Sequence, residues 1–131
     1  MIKVNVEIDT KSWHQKIKNP NKYFIKRLKK ISKIIPFFKG KTCIFSILLT
    51  NSSHIKRLNK KFRKKNKSTD VLSFPFFLKK KLNLLKEKNI YIGDIAISYE
   101  IIDSRSKKGN FLREFDKVWI HGFLHLVGYD H

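Results

Sequence analysis

The stretch Thr42-Cys43-Ile44-Phe45-Ser46-Ile47-Leu48-Leu49-Thr50 has the fewest structural options in this sequence. It carries no charge in a chain that is 31% charged, and its residues are apolar and β-branched. Such a run is expected to form a buried β-strand, and it is far too short to span a bilayer. Whatever fold the chain adopts must supply neighbours that cover this strand.

The segments around it offer those neighbours. Val4, Val6 and Ile8 alternate on one face of a first strand. After Asn19-Pro20, the residues Phe24, Leu28, Ile31 and Ile35 share one helical stripe, which Pro36 ends. Asn51, Ser52 or Ser53 can cap a helix carrying Ile55, Leu58 and Phe62. Residues 71–75 form a short strand that Pro75 confines to an edge or terminus. Residues 79–89 read as a lysine-rich hairpin or short helix, and residues 91–98 as a strand with Gly93-Asp94 inside it. A short helix over 100–106 breaks at Gly109, and Asn110 caps a final helix bearing Phe111, Phe115, Val118 and Leu126. Mixed strands and helices with short connections predict α+β or α/β architecture in one domain over residues 1–131.

Composition bounds the function less than it first suggests. A length of 131 residues with 41% hydrophobic and 13% aromatic residues supports one real core and argues against wholesale disorder. One cysteine, Cys43, rules out an intramolecular disulfide and suits a reducing compartment, so no disulfide-linked partner is expected. The alternating start lacks a signal-type apolar core, so the expectation is a cytoplasmic protein without membrane attachment. A net charge of +20 attracts polyanions, nucleic acid first among them. Yet 25 Lys, 17 Ile, 11 Phe and 9 Asn are all residues with A/T-rich codons, so a biased genome explains much of that charge. Only five of the thirty basic residues are Arg, the side chain best suited to bidentate phosphate recognition.

The chemistry is concentrated at the end of the chain, in His121-Gly122-Phe123-Leu124-His125-Leu126-Val127-Gly128-Tyr129-Asp130-His131. On a helix, His121 and His125 stand one above the other and can both reach one ion. Gly128 can adopt a left-handed backbone and end the helix, and the turn swings His131 back toward the same point. Three imidazoles with an open position form the catalytic zinc arrangement, in which bound water is acidified toward neutral pH. The spacing also matches the metzincin protease pattern, but there a Glu must follow the first His as general base. Here that residue is Gly122, which demotes peptidase chemistry.

This segment resembles the signature of the YbeY family of bacterial metal-dependent endoribonucleases. Two more blocks agree with it. Leu58-Asn59-Lys60-Lys61-Phe62-Arg63 followed by Thr69-Asp70-Val71-Leu72-Ser73-Phe74-Pro75 is similar to the family's middle motif, and Ile92-Gly93-Asp94-Ile95-Ala96-Ile97-Ser98 to its strand motif. Ser68 departs from the family pattern, which has proline before Thr-Asp. The resemblance implies an α+β fold with a small mixed sheet packed by helices, and a metal site on the C-terminal helix and the turn after it. It implies one zinc ion held by His121, His125 and His131, and Arg63 near the metal cleft gripping substrate phosphate. It further implies single-stranded RNA as substrate, with ribosomal RNA and the small ribosomal subunit as partners in 16S 3′-end maturation and ribosome quality control. Longer relatives continue past the residue matching His131 with a helical segment that this sequence does not contain.

Several residues keep open roles. Asp94 is either a partner orienting a zinc-bound imidazole or a turn or strand-edge residue. His14 and His54 read as surface or capping residues, and residues 60–67 as a solvated basic face that attracts RNA. The rival to a zinc endoribonuclease is a non-catalytic, zinc-containing basic protein that binds RNA or the ribosome. A metallopeptidase-type hydrolase comes third.

Overall fold

In the computed structural model, which describes residues 1–107 and 109–129, four strands form one sheet. They are β1 (Ile2–Ile8), β2 (Thr42–Thr50), β3 (Val71–Pro75) and β4 (Asn89–Ser98), in the spatial order β1-β2-β4-β3. β1, β2 and β4 are parallel, and β3 runs antiparallel at the edge beside β4. The helices are α1 (Pro20–Ile34), α2 (Ser52–Arg63), α3 (Lys79–Leu84), α4 (Tyr99–Arg105) and α5 (Phe111–Leu126). This is the expected α+β fold with a small mixed sheet. The uncharged run is β2, flanked by β1 and β4, and β3 lies at the edge as Pro75 requires.

Alternation along the strands gives the sheet two different faces. Phe45, Ile47 and Leu49 of β2, with Ile95 and Ile97 of β4, join a core formed with Phe24 and Leu28 of α1 and Phe115, Trp119 and Phe123 of α5. Phe24 and Trp119 meet edge to face with centroids 5.1 Å apart, and Phe45 and Phe123 pack at 5.0 Å with planes tilted by 53°. On the other face, Ile55 of α2 covers Leu72 and Ala96, with Leu48, Leu58 and Phe74 packed around them. Cys43 is buried on β2, and burial pushes its thiol up to about 11.

Local signals account for most boundaries. The Asn19 side chain accepts from the Lys22 backbone N–H at the start of α1, and Asn51 accepts from His54 N–H at the start of α2. Gly109 and Gly128 take φ of +91° and +90°, the left-handed values expected of glycines that interrupt and end helices. Asn110 differs from expectation: it occupies the N-cap position of α5, but its side chain makes no capping hydrogen bond. Trp13 was not marked by any periodicity. It sits in a 3-10 turn over Lys11–Gln15, wholly buried, with its indole N–H on the Thr50 carbonyl. His14 is exposed, whereas His54 has a structural role, its Nδ1 lying 3.0 Å from Thr50 Oγ1 and 3.1 Å from Asp9 Oδ2.

β4 contains one irregularity that matters for the cleft on the α2 face. Its register against β2 pairs Ile44 with Tyr91 and Phe45 with Gly93, so Ile92 is an extra residue. Because side chains alternate with period two, one extra residue inverts the face on which everything before it points. Tyr91 and Asp94, three apart, therefore share a face, and the Tyr91 hydroxyl donates to Asp94 Oδ1 and contacts Ser46 Oγ. Gly93 (φ +145°) makes this possible, since a Cβ there would strike the Phe74 carbonyl and come within 2.9 Å of Leu126 Cδ2.

Candidate active site at the sheet edge

α5 carries His121, exposed, and His125, half-buried, on successive turns. Their ring centroids are 6.4 Å apart and the planes are inclined by 78°. To share one ion at Zn–N bonds of about 2.0–2.1 Å, the two rings would have to turn toward a common point. The donor set, two imidazoles at i and i+4, fits zinc chemistry. Among the described residues no group of three or more His, Cys, Asp or Glu gathers there, and His131, the expected third ligand, lies outside them.

Gly122, between the two histidines, explains how closely α5 approaches the sheet. A Cβ there would lie 3.0 Å from Ser73 Oγ, 3.0 Å from Val71 Cγ2 and 3.3 Å from Ile95 Cγ2. A glutamate in this position would have to enter the contact between helix and sheet. The absence of a protease-type base is thus tied to packing, and the peptidase reading loses its remaining support.

Ser73 is the residue that sequence reasoning missed. Its buried hydroxyl donates to the Gly122 carbonyl at 3.0 Å, fastening β3 to α5 beside His121. Its own carbonyl points the other way. Ser98 N–H bonds to Asp70 O and Phe76 N–H to Ile92 O, so in this antiparallel pair the even residues of β3 face β4 and the carbonyl of Ser73 faces the free edge. Arg63, the last residue of α2, donates from Nη2 to that carbonyl at 2.7 Å. Two hydrogen bonds therefore tie Arg63 to the helix turn that bears the histidines, although 58 positions separate Arg63 from His121 in sequence. The only sequence clue was the position of Ser73 inside the middle motif.

Arg63 remains exposed, with Cζ 5.7 Å from the Phe74 ring centroid. A guanidinium has five N–H donors in a planar fork, and Ser73 takes one of them, which leaves donors for an anion. The adjoining basic run is ordered at its base. Lys64 adopts a left-handed backbone (φ 58°) to close α2, and buried Asn59 donates from Nδ2 to the Lys67 carbonyl. Lys60, Lys61, Lys64, Lys65 and Lys67 are all exposed around it.

Asp94 takes neither of the expected roles. It lies on an interior strand, on the face opposite α5, where its carboxylate receives the Tyr91 hydroxyl. Burial, and then the bond to Asp94, raise the pKa of Tyr91, so the hydroxyl remains the donor at neutral pH.

The comparisons with known proteins agree with this arrangement. A family model described as "Endoribonuclease YbeY" matches residues 5–131. A protein of that name from Pelagibacter ubique is 46% identical over 133 residues, covering all of this chain and 84% of the relative. Its namesake from Ehrlichia canis is 39% identical over 134 residues, with 100% and 80% covered. A Thermotoga maritima protein solved in solution superposes with a TM-score of 0.57 at 28% identity, covering 100% of this chain and 75% of that one. A match over nearly the whole sequence, on a chain whose middle motif and terminal helix are joined through Ser73, shows that this protein belongs to the YbeY endoribonuclease family.

Proposed function

We propose that this protein is a zinc-dependent endoribonuclease that cuts single-stranded RNA, with ribosomal RNA of the small subunit, including the 3′ end of 16S rRNA, as its substrate. The observation that carries the reading is the pair of hydrogen bonds from Arg63 to Ser73 and from Ser73 to Gly122. They hold an anion-binding guanidinium and two imidazoles on one small edge of the sheet. Family membership supplies the reaction class.

In this reading His121, His125 and His131 hold the metal. Zinc, when bound, supplies a Lewis acid and lowers the pKa of its water toward neutrality. Arg63 holds a non-bridging phosphate oxygen and stabilises the negative charge that builds up on the phosphoryl oxygens, an effect worth about 10²–10³ in rate for comparable electrostatic groups. Ser73 keeps the guanidinium from swinging into solvent. The exposed lysines of residues 60–67 hold the anionic strand without choosing its sequence. Replacing these lysines by alanine should flatten the salt dependence of RNA binding by about one unit for each phosphate no longer neutralised.

The test uses a labelled single-stranded RNA and a perfect duplex of the same sequence. Cleavage of the single strand alone, abolished by EDTA and by His125→Ala, is the expected result. Arg63→Ala should lower the cleavage rate more than the binding affinity. Metal-bound protein that binds RNA with no turnover would overturn the reading in favour of a non-catalytic ribosome-binding protein.

A further inference from the structure

The α2 face of the sheet bears a cleft of about 580 Å³ that the reaction described above does not use. Its size is within the usual range for small-ligand sites. Phe62 and Phe74 wall one side, Leu58 and Ala96 line the apolar part, and Ser46 and Asp94 present polar groups. Phe62 is 58% exposed and meets Phe74 at 5.5 Å between centroids, tilted by 66°. Both rings are next to Arg63, which follows Phe62 in sequence and lies over Phe74.

Charge divides this region sharply. The chain has ten acidic residues against thirty basic ones, and two of the ten, Glu7 and Asp94, line the cleft. Residues 60–67, of which Phe62 lines the cleft, carry five lysines and Arg63. A ligand that fits must place negative charge on the rim and hydrogen-bond donors, not negative charge, in the cleft. A nucleotide has that division: an anionic phosphate at one end and a flat base with edge donors at the other. Stacking on aromatic rings beside a basic track is how proteins hold single strands.

We infer that the cleft between α2 and the sheet is a nucleobase pocket that receives one unstacked base of the RNA whose phosphate lies on Arg63, and that Asp94 selects bases bearing an amino group on the pairing edge. This rests on the endoribonuclease reading above for the identity of the strand. Asp94 Oδ1 is held by the Tyr91 hydroxyl, so the carboxylate is fixed in place and accepts from the base with Oδ2. Cytosine offers its N4 amino group to such an acceptor, whereas uracil presents O4 at the same position and is repelled. Phe62 supplies the stacking surface.

The pyrimidine pair makes the test clean, because the two bases have the same size. Fluorescence anisotropy with labelled cytidine and uridine pentaribonucleotides, in EDTA, should show the cytidine pentamer bound about tenfold more tightly. Asp94→Asn, which retains the Tyr91 bond but adds an amide donor, should abolish or reverse that preference without changing the melting temperature. Phe62→Ala, at an exposed position, should weaken both pentamers about tenfold without changing their ratio. Equal affinities in the unmodified protein, or an unchanged ratio in Asp94→Asn, overturn the pocket while cleavage of RNA persists. Failure to bind either pentamer, together with failure to cut any single strand, overturns the endoribonuclease reading itself.

Discussion

On the α5 face of the sheet, Phe45, Ile47, Ile95 and Ile97 meet aromatic rings from two helices, and Phe24, Phe115, Trp119 and Phe123 are fully buried. On the α2 face, Ile55, Leu72 and Ala96 make a small cluster beside an open cleft, and Phe62 remains more than half exposed. The sequence difference behind this is visible in β2 and β4. Residues pointing toward α5 are uniformly apolar, while those pointing toward α2 include Ser46 and Asp94. Stability is concentrated on one side of a four-stranded sheet, and the other side is left free to bind. Arg63 and Ser73 sit on the β3 edge where the two sides meet.

This contrast can be broken or sharpened by substitution. Phe123→Ala should cost about 3–5 kcal/mol in chemical denaturation, because a fully buried ring leaves a cavity against Phe45 and Phe38. Phe62→Ala, on the open side, should stay within about 0.5 kcal/mol. Similar costs for the two would show that the α2 face is no less a core than the other. Gly122→Ala comes next. Helix propensity favours alanine by about 1 kcal/mol, but overpacking against Ser73 and Val71 costs about 1–3 kcal/mol, so a net loss in thermal stability is expected.

Ser73→Ala should cost about 1 kcal/mol for a lost buried hydrogen bond. It removes the tie to the helix turn bearing His121 and His125 but keeps the backbone carbonyl that Arg63 binds, so zinc affinity, measured by titration, should fall while RNA binding is unchanged. Unchanged zinc affinity would mean that the bond from Ser73 to Gly122 does not set the position of the histidines. The smallest effect concerns Asp9 at the end of β1. Burial would raise its pKa, but hydrogen bonds from Thr50, Thr10 and His54 outweigh it and hold the pKa below 3.8. The contribution of Asp9 is present above the unfolded-state value and fades as pH falls through the lowered folded value. The gap in melting temperature between Asp9→Asn and the unmodified protein should therefore close as the pH is taken below about 4.

How much of this could be read from the sequence depended on range. Features set by neighbours in the chain were legible: the alternation of β1, the stripe of α1, the Asn51 cap, the proline-limited edge strand and the left-handed Gly128. The histidine pair was legible for the same reason, since i and i+4 share a helix face. Features created by packing between distant segments were not. Trp13 has no periodic partners, yet it seals the end of the core against Tyr99, Phe111 and Phe115. Ser73 looked like filler in a motif until its two polar groups were seen to point to α5 and to Arg63. The cleft was invisible because its walls come from β1, β2, α2, β3 and β4, and because Tyr91 reaches Asp94 only through the register shift in β4.

That shift gives β4 a change of parity midway along its length. Upstream of Ile92 the odd-numbered residue Tyr91 faces the α2 side; downstream the even-numbered Asp94 and Ala96 do. Removing Ile92 would place Tyr91 directly before Gly93 and restore regular pairing with β2, leaving Tyr91 on the α2 side and Ile90 toward the core at the loss of one buried side chain. A single deletion at the bulge should therefore be tolerated, whereas a single insertion into the regular part of the strand inverts whatever precedes it. Deletion of Ile92 should give a folded protein of lower melting temperature, whereas one residue inserted between Asp94 and Ile95 should prevent folding, a counting rule written into the backbone and not into any side chain.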